Sequence, residues 1–334
     1  AKLLASQYDV VVTNPPYMGA KGMNKNLSNY LKKHYKDTKS DLFAVFMERM
    51  ESLTKDYHVS VTMQSWMFLS SFEKYRKHLI NSYSIQTMVH MANMVMGIAF
   101  GTAATVFRKN IYGMKGVYQY VSLEDLENGV PKEFPVRNDR FAIVGTHHFN
   151  DIPGSPIAYW ASPKVREIFS KHKKIGDFTN GGNGMTTGEN DKFLRLWYEV
   201  SEYSIGFNKN SHEEARQSGK TWFPYIKGGA YRKWYGNLEY VVDWKDDGYR
   251  IRKYGRPFFR NKNYYFREGL TWSKVTSSLF SVRYTPPGTL FDVAGISLFT
   301  DVDNPKYFIA FLNSKVGTFL VGLLSPTLNF ESGT

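Results

Sequence analysis

The feature that most constrains this chain lies near its start, in "YDVVVTNPPYMG" at residues 8–19. Val10–Val12 form the short apolar run expected of a parallel strand covered on both faces of a sheet. Pro15 and Pro16 each fix φ, and Pro16 pushes Pro15 towards an extended conformation, so the strand must stop and the turn after it must be stiff. In open α/β sheets ligands bind at the carboxyl ends of strands, and Asn14 stands at that position. The turn offers the Asn14 side-chain oxygen, the Pro15 carbonyl and the ring of Tyr17. Two acceptors beside a π-face suit a planar base bearing an exocyclic NH₂. A strand-end turn that merely contains Asn-Pro-Pro is the competing reading.

Residues 19–40 are lysine-rich without a clear period, which predicts a mobile loop with no more than a helical turn. Ser40 is placed to N-cap "DLFAVFMERMESL" (41–53), where Leu42, Phe43, Phe46, Met50 and Leu53 recur at helical spacing. "HVSVTMQSW" (58–66) alternates as a strand does. Ser70 and Glu73 have the spacing of a capping box that opens a helix over 70–80. Residues 84–91 and 102–109 read as two more strands. The order strand, helix, strand, helix, strand, strand is α/β, and it matches the second half of a doubly wound sheet. From about 110 to 165 Pro, Gly and Asn accumulate, as in a connector. A β-rich region with many turns follows. The expected organisation is thus 1–110, 111–165 and 166–334, the last read as truncated at its C-terminus.

The net charge of +13 and pI near 9.5 point to a polyanionic partner, with nucleic acid ahead of a membrane surface. A basic protein that is merely soluble is the alternative. The absence of cysteine excludes disulfides and thiolate metal sites and fits a reducing compartment, so a cytoplasmic location is expected. Residues 307–324 come closest to a membrane span, but Asn313, Ser314 and Lys315 interrupt them. They read as a buried or amphipathic helix, and no membrane partner is expected. No signal peptide is visible, and a chain that begins with Ala is taken as part of a longer protein.

The stretch 222–274 holds 16 Phe, Tyr or Trp and 12 Lys or Arg against 5 Asp or Glu. Cations interleaved with rings suit phosphate contacts and base packing. About half of the rings are expected in a β-rich core. Lys227, Arg232, Lys233, Arg250, Arg252, Lys253, Arg256 and Arg260 are the candidate DNA contacts.

With these residues in view, a resemblance becomes specific. Asn-Pro-Pro-Tyr after an apolar strand resembles motif IV of the amino-group methyltransferases that use S-adenosylmethionine, above all those acting on adenine N6 in DNA. "DLFAVFMERMESL" resembles the family's next helix, and "HVSVTMQSWMFLSSFEKYRKHLI" the strand and helix after it. "AFGTAATVFRK" resembles the late motif whose aromatic residue packs on a flipped base, at Phe100 here. "IGDFTNGGNGMTTGENDKFLRLWYEV" (175–200) resembles the opening of the target-recognition domain of type IIG restriction-modification enzymes. "FREGLTWSKVTS" (266–277) and "LLSPTLNFESG" (323–333) resemble the adenine methyltransferases of BREX phage-defence systems.

The resemblance implies the second half of a Rossmann-like methyltransferase sheet followed by a β-rich, α+β target-recognition domain. It implies Asn14, Pro15, Pro16 and Tyr17 as catalytic residues, with Phe100 closing on the base. S-adenosylmethionine would be the cofactor, no metal is required, and double-stranded DNA would be the partner, with other defence-system subunits possible. Asn14 and the Pro15 carbonyl would hold the amino group while the methyl group transfers by direct in-line displacement.

One departure matters. The family's donor loop precedes motif IV, and nothing in this chain matches it. "SGKT" (218–221) is no P-loop, because Glu214 stands where glycine is needed. Residues binding the cofactor are therefore unassigned, and this chain alone is expected to be inactive. Two alternatives stay open: a non-catalytic DNA-recognition module of a larger defence complex, and a methyltransferase acting on RNA or protein glutamine. His147 and His148 are adjacent and would point apart in a strand, which makes a weak metal site. No Glu-x-Lys nuclease signature occurs.

Overall fold

The structure is a computed structural model and describes residues 6–109, 113–255, 257–276, 278–301, 304–325 and 329–330. Two compact units make up the chain, Ala1–His172 and Lys173–Thr334.

The first unit runs β1 (Tyr8–Thr13), α1 (Lys25–His34), α2 (Leu42–Leu53), β2 (Thr54–Met63), α3 (Glu73–Ser82), β3 (Tyr83–Met91), β4 (Thr102–Lys109), β5 (Lys115–Val121), a ribbon of β6 (Leu126–Glu127) and β7 (Val130–Pro131), β8 (Ala142–Gly145) and α4 (Pro163–Lys171). Six strands form one sheet in the order β1-β2-β4-β3-β5-β8. The pairs β1–β2 and β3–β5 are parallel, while β4 lies antiparallel to both β2 and β3 and β8 antiparallel to β5.

The crossovers β1 to β2 and β2 to β3 advance the same way across the sheet. Right-handed connections therefore place α2 and α3 on one face. There Phe43 and Met47 from α2 and Tyr75 and Leu79 from α3 pack on Ile85, Met88, Ala103 and Phe107. Among the described residues β1 lies at the sheet edge, and Val10 and Val12 on its other face are 55% and 70% exposed, against the expected cover on both faces.

Other expectations change locally. Residues 25–34 form a ten-residue helix, capped by Asn24 Oδ1 accepting from the Leu27 N–H at 2.9 Å. Asp41 caps α2 in place of Ser40. The Ser70–Glu73 capping box does not form, because a 3₁₀ turn at Ser70–Phe72 precedes α3 and Phe72 occupies the cap position. Within the stretch read as a connector, β5 and β8 join the sheet of the first unit. The Pro, Gly and Asn residues that gave that reading fall in the ribbon and turns around these two strands.

The second unit contains β9 (Asn180–Gly182), α5 (Asn190–Phe193), β10 (Leu194–Leu196), α6 (His212–Gln217), β11 (Trp222–Ile226), β12 (Tyr240–Asp243), α7 (Lys245–Tyr254), β13 (Gly269–Ser273), β14 (Val282–Thr285), β15 (Leu290–Phe291), β16 (Gly295–Phe299), α8 (Pro305–Asn313) and α9 (Lys315–Leu324). Two four-stranded sheets result, β10-β12-β11-β15 and β14-β13-β16-β9. Phe223, Tyr225, Trp244, Tyr265 and Phe266 pack in the core of the first, and Leu270, Trp272, Ile296 and Leu312 in that of the second. Residues 307–324 are two helices rather than one: α8 and α9 meet at 80°, and Ser314 caps α9 by accepting from the Gly317 N–H. Among the described residues no single helix is long and apolar enough to cross a membrane.

Candidate active site at the carboxyl edge of the first sheet

β1, β2, β3 and β5 run the same way, so their carboxyl ends share one edge, and β4 starts from it. Three segments meet there: Asn14–Tyr17 after β1, the 3₁₀ turn Gln64–Met67 after β2, and Phe100–Gly101 ahead of β4. Asn14 is exposed, and among the described residues its side chain has no hydrogen-bond partner. Pro15 is buried and Pro16 exposed. Tyr17 is half-buried, and its hydroxyl donates to the Val61 carbonyl at 3.1 Å. The Tyr17 ring meets Phe43 edge-on at 6.2 Å between centroids and Phe100 at 5.6 Å and 67°. Burial holds the Tyr17 phenol above its ordinary pKa, so it stays protonated near neutral pH. Tyr17 and Phe100 touch as a corner and leave no parallel slot between them. A planar base would lie across that corner or part the rings.

The turn is clamped by a residue that sequence reasoning passed over. Asp41 Oδ1 accepts from the Met18 N–H at 3.0 Å and from the Phe43 N–H at 3.3 Å. Met18 O accepts from Leu42 N, and Ser40 O from Ala20 N. Asp41 thus caps α2 and pins the end of the Asn-Pro-Pro-Tyr turn with one oxygen. Burial raises its carboxyl pKa against these N–H groups, which lower it. Its signal was an Asp directly ahead of an apolar run, as good a cap as the Ser before it.

Gln64 orders the neighbouring segment. Its backbone N–H donates to the Gly101 carbonyl at 2.9 Å, and its Oε1 lies 2.6 Å from His90 Nε2. A Cβ at position 101 would stand 2.4 Å from Gln64 Nε2, so a larger residue there would displace the Gln64 amide from His90. His90 is buried, with Nδ1 3.1 Å from the Tyr159 hydroxyl. Burial first, then the Arg140 charge, push the His90 pKa down to about 3, so its ring is neutral. Arg140 itself lies over the rings of Tyr120 and Trp160, at 3.9 and 4.0 Å. Buried Arg76 donates to the carbonyls of Trp66, Leu69 and Ser155, tying the turn after β2 to residues 154–155. Burial lowers its pKa to about 10, which leaves it charged.

The candidate DNA contacts divide. Lys227 lies 3.3 Å from the buried Asp292 carboxylate, and Arg250, itself exposed, lies 2.7 Å from buried Asp243, so both are paired within the unit. Lys233 donates to the Asn313 carbonyl. Arg252 is exposed and donates to the Asp246 carbonyl. Lys253 and Arg260 are exposed over the rings of Tyr249 and Phe258, at 4.6 and 4.4 Å. Arg232 is exposed beside Glu239 at 3.8 Å. Arg256 lies outside the described residues.

The turns after β1 and β2, "NPPYMG" and "QSWMFL", are not glycine-rich. These residues do not fit a cradle for S-adenosylmethionine. Among the described residues no three His, Asp or Glu side chains gather into a metal site. His147 and His148 lie in a 3₁₀ turn with their rings 4.1 Å apart, instead of pointing apart as strand neighbours would.

Residues 3–95 match the Eco57I restriction-modification methylase family. The adenine-specific methyltransferase PglX of Lacticaseibacillus casei is 41% identical, over 99% of this chain and 29% of its own length. The adenine-specific methyltransferase BrxX of Escherichia coli O9:H4 is 40% identical, over 100% of this chain and 28% of its own length. The chain therefore spans less than a third of these relatives. A solved structure of a nuclease-deletion mutant of the type ISP restriction-modification enzyme LlaGI, in complex with a DNA substrate mimic, shares the fold. Its TM-score is 0.52 at 10% identity, over 95% of this chain and 39% of that one. Along its whole length the chain is a homologue of one segment of the PglX and BrxX adenine-specific methyltransferases, and its first unit carries the Eco57I-type methylase match.

Proposed function

We propose that this chain forms the acceptor side and the DNA-reading part of an adenine-N6 DNA methyltransferase of a phage-defence or restriction-modification system. The first unit is the second half of its Rossmann-like catalytic sheet, and the second unit is its target-recognition domain. The observation that carries the reading is the clamped turn at the sheet edge. It presents an exposed Asn14 amide with no partner among the described residues, next to the half-buried ring of Tyr17.

S-adenosylmethionine would supply an electrophilic methyl group, held by residues elsewhere in the longer protein. This chain's own residues would do the rest. The Asn14 oxygen and the Pro15 carbonyl accept the two N–H bonds of the adenine amino group. That draws the nitrogen lone pair out of the ring and stabilises the positive charge that develops on N6. Tyr17 stacks on the extruded base while its hydroxyl stays anchored on Val61, and Phe100 bounds the pocket at its edge. Most of the rate then comes from position.

The test is Asn14→Ala in the full-length protein. Methylation of duplex DNA should be lost while duplex affinity is kept. Turnover surviving in this variant would refute the assignment.

A further inference from the structure

The connection between β11 and β12, residues 227–239, is built on an uncommon backbone. Gly228, Gly229, Gly236 and Asn237 have positive φ, as such residues allow, and so does Trp234, with φ 76°. A tryptophan in this region is strained, and such strain persists only where the surroundings over-determine it. Here they do. Trp234 N–H donates to the Val282 carbonyl at 3.0 Å, and the Trp234 carbonyl accepts from Tyr284 N–H at 2.8 Å, so the strained residue is stitched to β14 on both sides. Buried Asn237 donates to the Ala230 carbonyl across the loop at 2.8 Å. Ser273 of β13 donates to the Gly229 carbonyl, and Lys233 to the Asn313 carbonyl at the end of α8.

All this ordering leaves more than half of the Trp234 surface in solvent. Trp234 is 54% exposed and Tyr235 beside it 59%. Glycine or asparagine at 234 would give the same loop without strain. Around it two guanidinium groups face one carboxylate, that of Glu239, which lies 3.8 Å from Arg232. Arg232 is exposed two residues earlier, and beneath the loop the guanidinium of fully buried Arg283 reaches the Arg232 carbonyl at 3.5 Å and Ser273 Oγ at 3.3 Å. Among the described residues Arg283 Nε has no hydrogen-bond partner and no carboxylate lies within salt-bridge distance of this guanidinium, and Glu239 balances its charge only from further away.

We propose that Trp234 is a preformed stacking element for duplex DNA, seated by its indole at an opened base step while Arg232 contacts the adjoining phosphate. The inference rests on the reading of the second unit as DNA-binding. An aromatic face accepts any base, so this contact adds affinity without sequence preference. Because the loop is already rigid, binding loses little ordering entropy.

The test is duplex affinity of the full-length protein at several salt concentrations, with thermal unfolding in parallel. Trp234→Gly and Trp234→Asn remove the strain along with the ring. They should bind about tenfold more weakly, with an unchanged salt slope and an equal or higher Tm. Trp234→Phe should stay within about twofold of the parent. Arg232→Ala should reduce the salt slope by about one. If the parent binds duplex and the glycine and asparagine variants bind equally tightly, the inference falls alone. A lowered Tm in both variants with affinity lost in step would also overturn it, because the ring would then be structural. If the parent does not bind duplex at all, the DNA-binding reading falls and takes the inference with it.

Discussion

Tyr17 and Phe100 meet edge to face at 5.6 Å while the Tyr17 hydroxyl is held on the Val61 carbonyl. Ring and hydroxyl therefore have separable roles. Tyr17→Phe keeps the face that would stack on a base and loses one hydrogen bond, which should cost about 1 kcal/mol of stability. Methylation by the full-length protein should stay within a few-fold of the parent. Tyr17→Ala removes the ring and should abolish turnover. Thermal unfolding and a methylation assay on the two variants separate these effects, and loss of activity in Tyr17→Phe would mean that the hydroxyl itself is chemical.

Asp41 links helix and turn through a single oxygen. Asp41→Ala deletes the α2 cap and leaves the Met18 N–H without its acceptor, for an expected loss of about 1–2 kcal/mol. Methylation should fall further than stability explains, because the turn loses its tether, while duplex affinity stays unchanged. Asp41→Asn keeps an acceptor oxygen and should recover most of both. Equal loss of activity in Asn and Ala variants would point to the charge instead.

Two buried histidines give the fold an acid limit. His58 stacks on Phe107 at 4.5 Å, and among the described residues neither of its ring nitrogens has a hydrogen-bond partner. Burial pushes its pKa down to about 3, the same level as His90. Both stay neutral in the folded chain while the unfolded chain takes up protons below about pH 6.5. Stability should be fully present above that pH and fall as pH drops from about 6.5 towards 3. Each histidine contributes a slope of about 1.4 kcal/mol per pH unit in this window. His58→Phe removes two unsatisfied nitrogens, so it should stabilise the protein by about 1–2 kcal/mol at neutral pH and flatten the acid slope. Urea midpoints between pH 4 and 7 measure both effects, and an unaltered slope would locate the acid sensitivity elsewhere.

Lys227 is expected to serve stability before DNA. Asp292 keeps two other donors, the Tyr225 hydroxyl at 2.6 Å and the Ala294 N–H at 2.8 Å. Lys227→Met should therefore cost only about 1–2 kcal/mol, below the loss typical of a fully buried pair. Its salt slope for duplex binding should equal the parent's. A slope reduced by about one would restore Lys227 as a phosphate contact.

The strands were legible because alternation is local: β3 and β4 fall within a residue of the spans read from the pattern. The Asn-Pro-Pro-Tyr turn was legible because proline dictates backbone directly. What escaped was decided at a distance. Ser40 and Asp41 satisfy the capping pattern equally, and the choice between them is made by Met18, 23 positions earlier. Lys227 looked like a free cation because its partner lies 65 residues on. Lysines hid α1, whose buried contribution is Leu31 alone. The strain at Trp234 is imposed by β14, so no local propensity could announce it.

Among the described residues nothing covers Val10 and Val12 of β1, which carries a practical consequence. An open strand edge with apolar side chains is a template for self-association. Prepared alone at high concentration, this chain should aggregate through β1, and a lysine at Val12 should act as a gatekeeper that suppresses it. The strand that presents the turn is thus also the surface that sets how concentrated a sample can be kept.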